Sequence, residues 1–475
     1  MPLSTLLRDS RALATLAVPL VLTQLAQVAL TTTDTVMMGM LSATDLAAGG
    51  LAIVLFNQLR TMGVGLVTSV GNQVAAAAAR SEHTTGKGDH TPEILEQNGK
   101  EEVAGIVRAG MTVATLAGVA GAALMLLTGR LLPFLGQEDA VTGRAQDMLL
   151  ALAPGLLPCL WFQAVRQFTV GMRRPQALLR ITLASVAVNA GVNWILIHGT
   201  WGIPKLGLPG VGLATSVVYL LSFLALYLSA RRDAVLAPLL SLDIVTADRT
   251  TVMRLVRLGI PIAATFGSEA GFFSVTTLMA GSFGSAALAA HTAVNQLVYI
   301  VFQVAVGLSH AASINVSREL AQNRSEAALR TKNTALACAA AVMALVAILY
   351  VTIPKLILAP FFDAGAAHSG EAVSIATHLL LVTMVLQFFD CAQNIGVGLL
   401  RGLDDTKSGF RITLVGYWAI GLPSAALLAY AARLDTLGIW LGLLIGLAAT
   451  ALLLLRRYSS ALRTRAAAPE AAPAT

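Results

Sequence analysis

Leu258-Gly-Ile-Pro-Ile-Ala-Ala-Thr-Phe-Gly-Ser-Glu-Ala-Gly-Phe-Phe-Ser-Val-Thr-Thr-Leu-Met-Ala280 is an apolar run long enough to cross a bilayer, and it carries one acid, Glu269, near its middle. At 1.5 Å per residue Glu269 stands roughly 17 Å along from Leu258, about halfway through a hydrocarbon core of ~30 Å. An ionised carboxylate there costs at least ~2.5–3.5 kcal/mol, so it must face protein or water and either hold a cation or carry a proton.

The rest of the chain has the same character. Of 475 residues 56% are apolar and 12% charged, about half the charge of a soluble domain, and the mean hydropathy is +0.74. Twelve apolar stretches can be marked, at 12–38, 46–75, 104–129, 145–172, 177–199, 209–230, 254–280, 286–317, 333–353, 372–400, 408–430 and 436–455. They predict an all-α polytopic membrane protein with twelve transmembrane helices. The first run is long and lacks an Ala-x-Ala exit, so it reads as a retained helix. The net charge of +7 does not point to nucleic acid, because the basic residues sit at helix ends. Roughly 25 of the 32 Lys and Arg fall on one side, Arg11, Arg173, Arg174, Arg231, Arg232 and Arg457 among them, which puts both termini in the cytoplasm. Cys159, Cys338 and Cys391 lie in apolar segments at unrelated spacings, a pattern of neither a disulfide framework nor a zinc site.

An internal repeat organises the twelve segments. Leu16-Ala-Val-Pro19 and Leu258-Gly-Ile-Pro261 put two prolines 242 residues apart. At that offset Leu46-Ala-Ala48 falls on Leu288-Ala-Ala290 and Val64-Gly-Leu66 on Val306-Gly-Leu308. Farther on, Arg180-Ile-Thr-Leu183 matches Arg411-Ile-Thr-Leu414 and Gly171 matches Gly402, at an offset of 231. The chain therefore reads as two pseudo-symmetric six-helix bundles of parallel topology, 1–232 and 254–457. A cytoplasmic linker at 233–253, with room for a short surface helix, joins them. A polar insertion at 81–102 reads as mobile, with His83 and His90 solvated, and 458–475 reads as a disordered cytoplasmic tail. Pro19 and Pro261 mark bends, with Pro154, Pro158 and Pro423 as further candidates; simple packing fits each as well.

Polar residues in these segments form two constellations. Asp390 lies 11 residues, about 17 Å, from Arg401 at its helix end, the same height as Glu269. Two acids at matched depth can share a proton or a sodium ion, or each can be satisfied singly by hydroxyls and backbone. In the first half, Asp34 belongs to the outer third of the membrane. Asn189 and Asn193, four apart, share a helix face, and Asn193 and Thr215 lie at equal heights. This oxygen set suits a small cation, and equally an interhelical hydrogen-bond network. In the repeat Gln27 takes the place of Glu269, and Thr276 that of Asp34. Gln27, Asn57, Phe266, Phe273, Asn295 and Tyr299 are candidates to line a substrate cavity.

The order Pro19, Asp34, Leu46-Ala-Ala48, Gly259-Ile-Pro261, Glu269, Ala289-Ala-His291, Phe389-Asp390, Arg401-Gly402 with Asp404-Asp-Thr406, and Gly421-Leu-Pro423 resembles the multidrug and toxic compound extrusion (MATE) transporters, in their bacterial NorM-like branch. The resemblance spans essentially all twelve segments. It implies two six-helix lobes around a V-shaped cavity and export of organic cations or amphipathic drugs across the inner membrane. Exchange would be for Na⁺ or H⁺ by alternating access, with no other cofactor, no enzyme activity and no obligate protein partner beyond the bilayer. It makes Glu269 and Asp390 the ion acids of the second lobe and Asp34 that of the first, with Asn189, Asn193 and Thr215 as the accompanying polar positions. Where some relatives place a tyrosine one turn before the second-lobe aspartate, this chain has Leu386, which bears on sodium ligation as against protonation. The alternatives are a lipid-linked saccharide flippase, which needs a basic cavity for which Arg60 and Arg166 are candidates, and an intramembrane hydrolase at Gly267-Ser-Glu-Ala-Gly271, which lacks the strand and the His–Asp partners of a nucleophile elbow.

Overall fold

A computed structural model describes residues 3–84, 97–135, 139–202, 204–244, 246–362 and 369–467. Twelve helices in it are long and apolar enough to cross a membrane. They are α1 (Leu3–Gly39), α2 (Ala43–Thr84), α3 (Gln97–Leu131), α4 (Asp139–Gly171), α5 (Gln176–His198), α6 (Leu208–Arg232), α7 (Arg249–Gly281), α8 (Ser285–Ala321), α9 (Ser325–Thr352), α10 (Ser369–Gly402), α11 (Thr406–Ala431) and α12 (Asp435–Ala467). No strand occurs among the described residues. Backbone that enters hydrocarbon must satisfy its own hydrogen bonds, and helices do so within one segment.

Most helices outrun the apolar stretches that announced them. The 42 residues of α2 span about 63 Å, twice the hydrocarbon thickness. The chain ends depart from expectation in the same direction. Residues 458–467 are not a disordered tail, because α12 continues to Ala467. Tyr458 and Leu462 are buried, and the Tyr458 hydroxyl donates to the Ala328 carbonyl at 2.8 Å. Residues 468–475, and His90 with most of the insertion at 81–102, lie outside the described residues. At the insertion's edges Arg80 Nη2 donates to Glu102 Oε1 at 2.6 Å. Between the halves, a 3₁₀ turn spans Ala237–Leu239. There α7 already begins at Arg249, its first N–H groups capped by Asp248 through Thr251 N at 2.9 Å.

The chain divides into two compact units, Leu22–Gly267 and a second made of Met1–Val21 with Ser268–Thr475. These units differ from the segments 1–232 and 254–457 at one place in each half. The first stretch of α1 groups with the C-terminal helices, and the first stretch of α7 with the N-terminal ones. Glycine is the physical reason. A Cβ on Gly65 of α2 would sit 2.7 Å from Ala263 Cα in α7, and one on Gly307 of α8 would sit 2.9 Å from Val21 Cα in α1. Residues 65 and 307, like 21 and 263, are 242 apart, so the same backbone approach is made twice.

The second register repeats as closely. Gly171 and Gly402 have no room for a side chain, against Gly71 O at 2.6 Å and Ser313 O at 2.8 Å. The helices then end in one way. Arg173 and Asp404 adopt left-handed φ of 58° and 62°, and the next N–H groups reach back to Thr169 O at 2.8 Å and Leu400 O at 2.9 Å. The helix-end pairs are all 231 apart, while Gly71 and Ser313, which the two glycines meet, are 242 apart. Each helix end closes by a six-residue hydrogen bond.

α11 is built differently from the rest. Its first turns, Thr406–Leu414, widen into π turns at Val415–Gly421 and again at Leu427–Ala431. Leu422 N–H reaches back five residues to Tyr417 O, and Pro423, which has no N–H to give, follows it. The widened helix lies against a stripe of small residues on α12. Gly438, Gly442 and Gly446 meet Ala429, Ala425 and Gly421 respectively, each set spaced by four, and a Cβ on Gly446 would lie 2.7 Å from Gly421 Cα. Gly442→Val should therefore cost about 1–3 kcal/mol by overpacking. Gly105→Ala, where nothing lies within 4 Å of the added carbon, should be neutral or stabilising by up to about 1 kcal/mol. Thermal unfolding of the purified variants in detergent checks both.

Candidate functional site

In the C-terminal unit Glu269 stands on α7, 8% exposed, and its Oε1 accepts a hydrogen bond from the Tyr417 hydroxyl at 3.1 Å. Tyr417 is fully buried within the π turn of α11, and its ring stacks on Phe272 at 4.8 Å and 10°. The indole of Trp418, the next residue, donates to Ser268 Oγ at 2.8 Å. Asp390, on α10, is 3% exposed; its Oδ1 accepts only a long bond of 3.4 Å from Asn394 Nδ2, one turn on. Asn394 divides that amide with Asp390 O at 3.1 Å and Gln393 Oε1 at 3.0 Å. The Glu269 and Asp390 carboxylates act on one another electrostatically. No arginine, lysine or histidine meets either of them among the described residues. The hydrogen-bond partners of both acids are neutral among the described residues.

In the N-terminal unit the first-half residues converge on one carboxylate. Asp34 Oδ1 accepts from Asn189 Nδ2 at 2.7 Å and Asn193 Nδ2 at 2.8 Å, and Oδ2 from Thr215 Oγ1 at 3.1 Å. All four residues are buried. The helical spacing of the two asparagines aims both amides at one point, and Thr215 closes the other side from α6. The network is left incomplete. Asn189 Oδ1 and Asn193 Oδ1 are buried with no hydrogen-bond partner, an arrangement that costs ~1–3 kcal/mol per atom unless something electropositive meets it.

The predicted cavity residues scatter. Gln27 lines a polar cleft with Thr31 and Arg60. Asn57 accepts from Arg60 Nε at 3.2 Å. Phe266 and Asn295 are half-buried, Phe273 packs on the apolar cluster around Phe272 and Tyr417, and Tyr299 is 46% exposed and stacks on Phe302. Phe266 falls in the N-terminal unit, Phe273, Asn295 and Tyr299 in the C-terminal one. His291 is bonded at both ring nitrogens: Trp440 Nε1 donates to its Nδ1 at 3.2 Å, which leaves its Nε2 as the donor to Thr277 Oγ1, also at 3.2 Å. No cluster of three His, Cys, Asp or Glu able to hold a metal occurs among the described residues.

Sequence reasoning missed Tyr417. A tyrosine does reach Glu269, from α11 and not from the turn before Asp390, where Leu386 is buried in the apolar cluster that also holds Tyr417. The available signal was a tyrosine in the middle of an otherwise apolar span.

A matched pair of hydroxyl deletions tests this assignment. Tyr417→Phe keeps the ring stack but strips Glu269 of its O–H donor, and should cost about 1–3 kcal/mol. Tyr350→Phe removes a buried hydroxyl with no partner and should be neutral or stabilising. Thermal unfolding curves of the two variants beside the parent protein separate these outcomes.

The MatE family model matches residues 96–195 and 261–427, more than half of the chain. A probable multidrug resistance protein NorM of Pseudomonas aeruginosa is 35% identical over 450 residues, 94% of this chain and 88% of that one. Another of that name, from Bradyrhizobium diazoefficiens, is 35% identical over 448 residues, covering 93% and 91%. Two solved structures share the fold: an outward-facing multidrug resistance MATE family transporter of the MOP superfamily, at a TM-score of 0.81, 17% identity and 96% coverage of both chains, and the eukaryotic MATE transporter AtDTX14, at a TM-score of 0.77, 19% identity and coverage of 97% and 99%. The chain therefore belongs to the MatE family, a family of multi-pass membrane transporters and not of enzymes, in its bacterial NorM-like branch.

Proposed function

We propose that the protein is a multidrug efflux antiporter of the inner membrane. It exports cationic or amphipathic organic compounds in exchange for Na⁺ or H⁺ by alternating access, with both termini in the cytoplasm. The observation that carries this reading is the set of three buried carboxylates in membrane-spanning helices, Asp34, Glu269 and Asp390, whose hydrogen-bond partners are all neutral. Such groups are tolerable in hydrocarbon when a small positive partner neutralises them, and a partner that comes and goes is a coupling ion.

Two features say how the ion is held. Around Asp34 the orphaned amide oxygens of Asn189 and Asn193 stand beside the carboxylate and Thr215. These are hard oxygens of the kind a small cation takes, and they suit a cation or a proton once an amide turns its oxygen toward the carboxylate. The charges of Glu269 and Asp390 act on one another, which favours uptake of a positive charge by one of them. Coupling requires that ion and drug prefer different states of the carrier. For scale, ~150 mV acting on one charge is worth about 3.5 kcal/mol, enough for a gradient of a few hundredfold.

The protein reconstituted into liposomes should expel ethidium when driven by a sodium gradient or by a pH gradient applied separately, and the gradient that works names the ion. Glu269→Gln and Asp390→Asn should each lower exchange at least a hundredfold while leaving folded protein in the membrane. Export at the parent rate by both variants would remove these acids from the mechanism.

A further inference from the structure

Where the apolar stretches of α9 and α12 begin and end, basic side chains gather on one facet of the C-terminal unit. Lys332 stands one residue before the stretch 333–353, and Arg456 one residue after 436–455. Along α12 Arg456, Ser459 and Arg463 follow at steps of three and four, so they share a face. Ser459 lies about 6 Å and Arg463 about 12 Å beyond Leu455. A headgroup layer is ~5–8 Å deep, which takes in Lys332, Arg456 and Ser459, and the long side chain of Arg463 can turn back to it.

The two helices are fastened at this level by the buried Tyr458, whose hydroxyl donates to the Ala328 carbonyl, so the facet is preformed. Lys332 Nζ donates to Ser459 Oγ at 3.0 Å, and the Ser459 hydroxyl gives its own hydrogen to Leu455 O at 2.8 Å. An ammonium has three donors, and one neutral hydroxyl leaves its charge uncompensated. The charge that acts on it is that of Arg463, of the same sign. None of Lys332, Arg456 and Arg463 forms a salt bridge among the described residues, whereas their neighbours do: Arg457 with Asp405 at 2.8 Å and Arg330 with Asp9 at 3.6 Å. Toward the membrane the same surface turns apolar. Leu452, one turn before Arg456, is 58% exposed, and Leu336, one turn after Lys332, is partly exposed. Unpaired cations at headgroup depth with exposed leucines on the hydrocarbon side match an anionic amphiphile, where a free anion would use the cations alone.

We infer that this facet is a binding site for an anionic phospholipid, whose phosphodiester lies among Lys332, Ser459 and Arg463 with Arg456 at the rim, and whose acyl chains run along Leu452 and Leu336. The site requires that these helices span a membrane and is independent of what the protein exports.

The test titrates the purified full-length protein in neutral detergent with phosphatidylglycerol, with phosphatidylcholine of the same acyl chains, and with inorganic phosphate, and reads the thermal unfolding midpoint, which a ligand of the folded state raises. Phosphatidylglycerol should raise it and the other two should not. The double variant Lys332→Gln, Arg463→Gln should bind phosphatidylglycerol about tenfold or more weakly by the same titration. Arg249→Gln, which removes an exposed cation at the start of α7, should leave that affinity unchanged. Should the double variant fail to fold, Arg463→Gln alone carries the comparison, because Arg463 is exposed and its loss leaves the Tyr458 anchor in place. An affinity unmoved by these substitutions would overturn the site, and so would a fall as large in Arg249→Gln, which would reduce the effect to surface charge at large. An equal rise with phosphatidylcholine, or a rise with inorganic phosphate that the variant abolishes, would overturn the anionic lipid as its occupant.

Discussion

A carboxylate carried into hydrocarbon has to be met by donors or by a positive charge, and the local architecture around Glu269 and Asp34 answers to that demand. Each acid receives hydrogen bonds from helices far away in sequence, α11 for Glu269 and α5 with α6 for Asp34. Neither set neutralises the charge. Hydroxyl and amide donors lower the cost of burial without removing it, so the acids remain poised to take up a small cation or a proton.

That poise depends on backbone that can place a donor within 3.1 Å of a carboxylate. For Tyr417 the placement is made by a π turn, which adds a residue to the turn and shifts everything after it relative to a regular α-helix. The added girth is accommodated because α12 offers glycine at Gly442 and Gly446, where α11 approaches backbone to backbone. Pro423 removes one of the N–H groups that would otherwise pull the segment back into α register. The hydroxyl on Glu269 is thus the end of a chain of causes that begins with a proline and two glycines.

Legibility in the sequence follows the same physics. The twelve spans could be read because membrane helices must be apolar along their length, and the Asp34 quartet because two asparagines four apart share a face whatever surrounds them. Tyr417 stood out as a tyrosine in an apolar span, but its partner could not be read, since helical periodicity does not survive a π turn. The boundaries of the two units were missed for a different reason. Loops suggest where a chain should divide, but here the division falls inside α1 and α7, where Gly307 meets Val21 and Gly65 meets Ala263. The continuation of α12 through Arg465 was missed because its charged residues look solvated, while Tyr458 and Leu462 between them are buried.

The duplication separates what the fold requires from what the function requires. Glycine contacts recur at the same offsets in both halves because a backbone approach tolerates no substitute on either side. The buried acids do not recur. Gln27 stands where the second half has Glu269, and Thr276 where the first has Asp34. The same comparison applies to the arginines. The counterpart of Arg60 at the offset of 242 is Phe302, and that of Arg166 at 231 is Val397. A helix packing that accepts phenylalanine and valine in one copy does not need two guanidinium groups in the other. The two guanidinium groups therefore belong to what sets the N-terminal half apart, where Arg60 donates to Asn57 and Arg166 to Gln163 and Gln24.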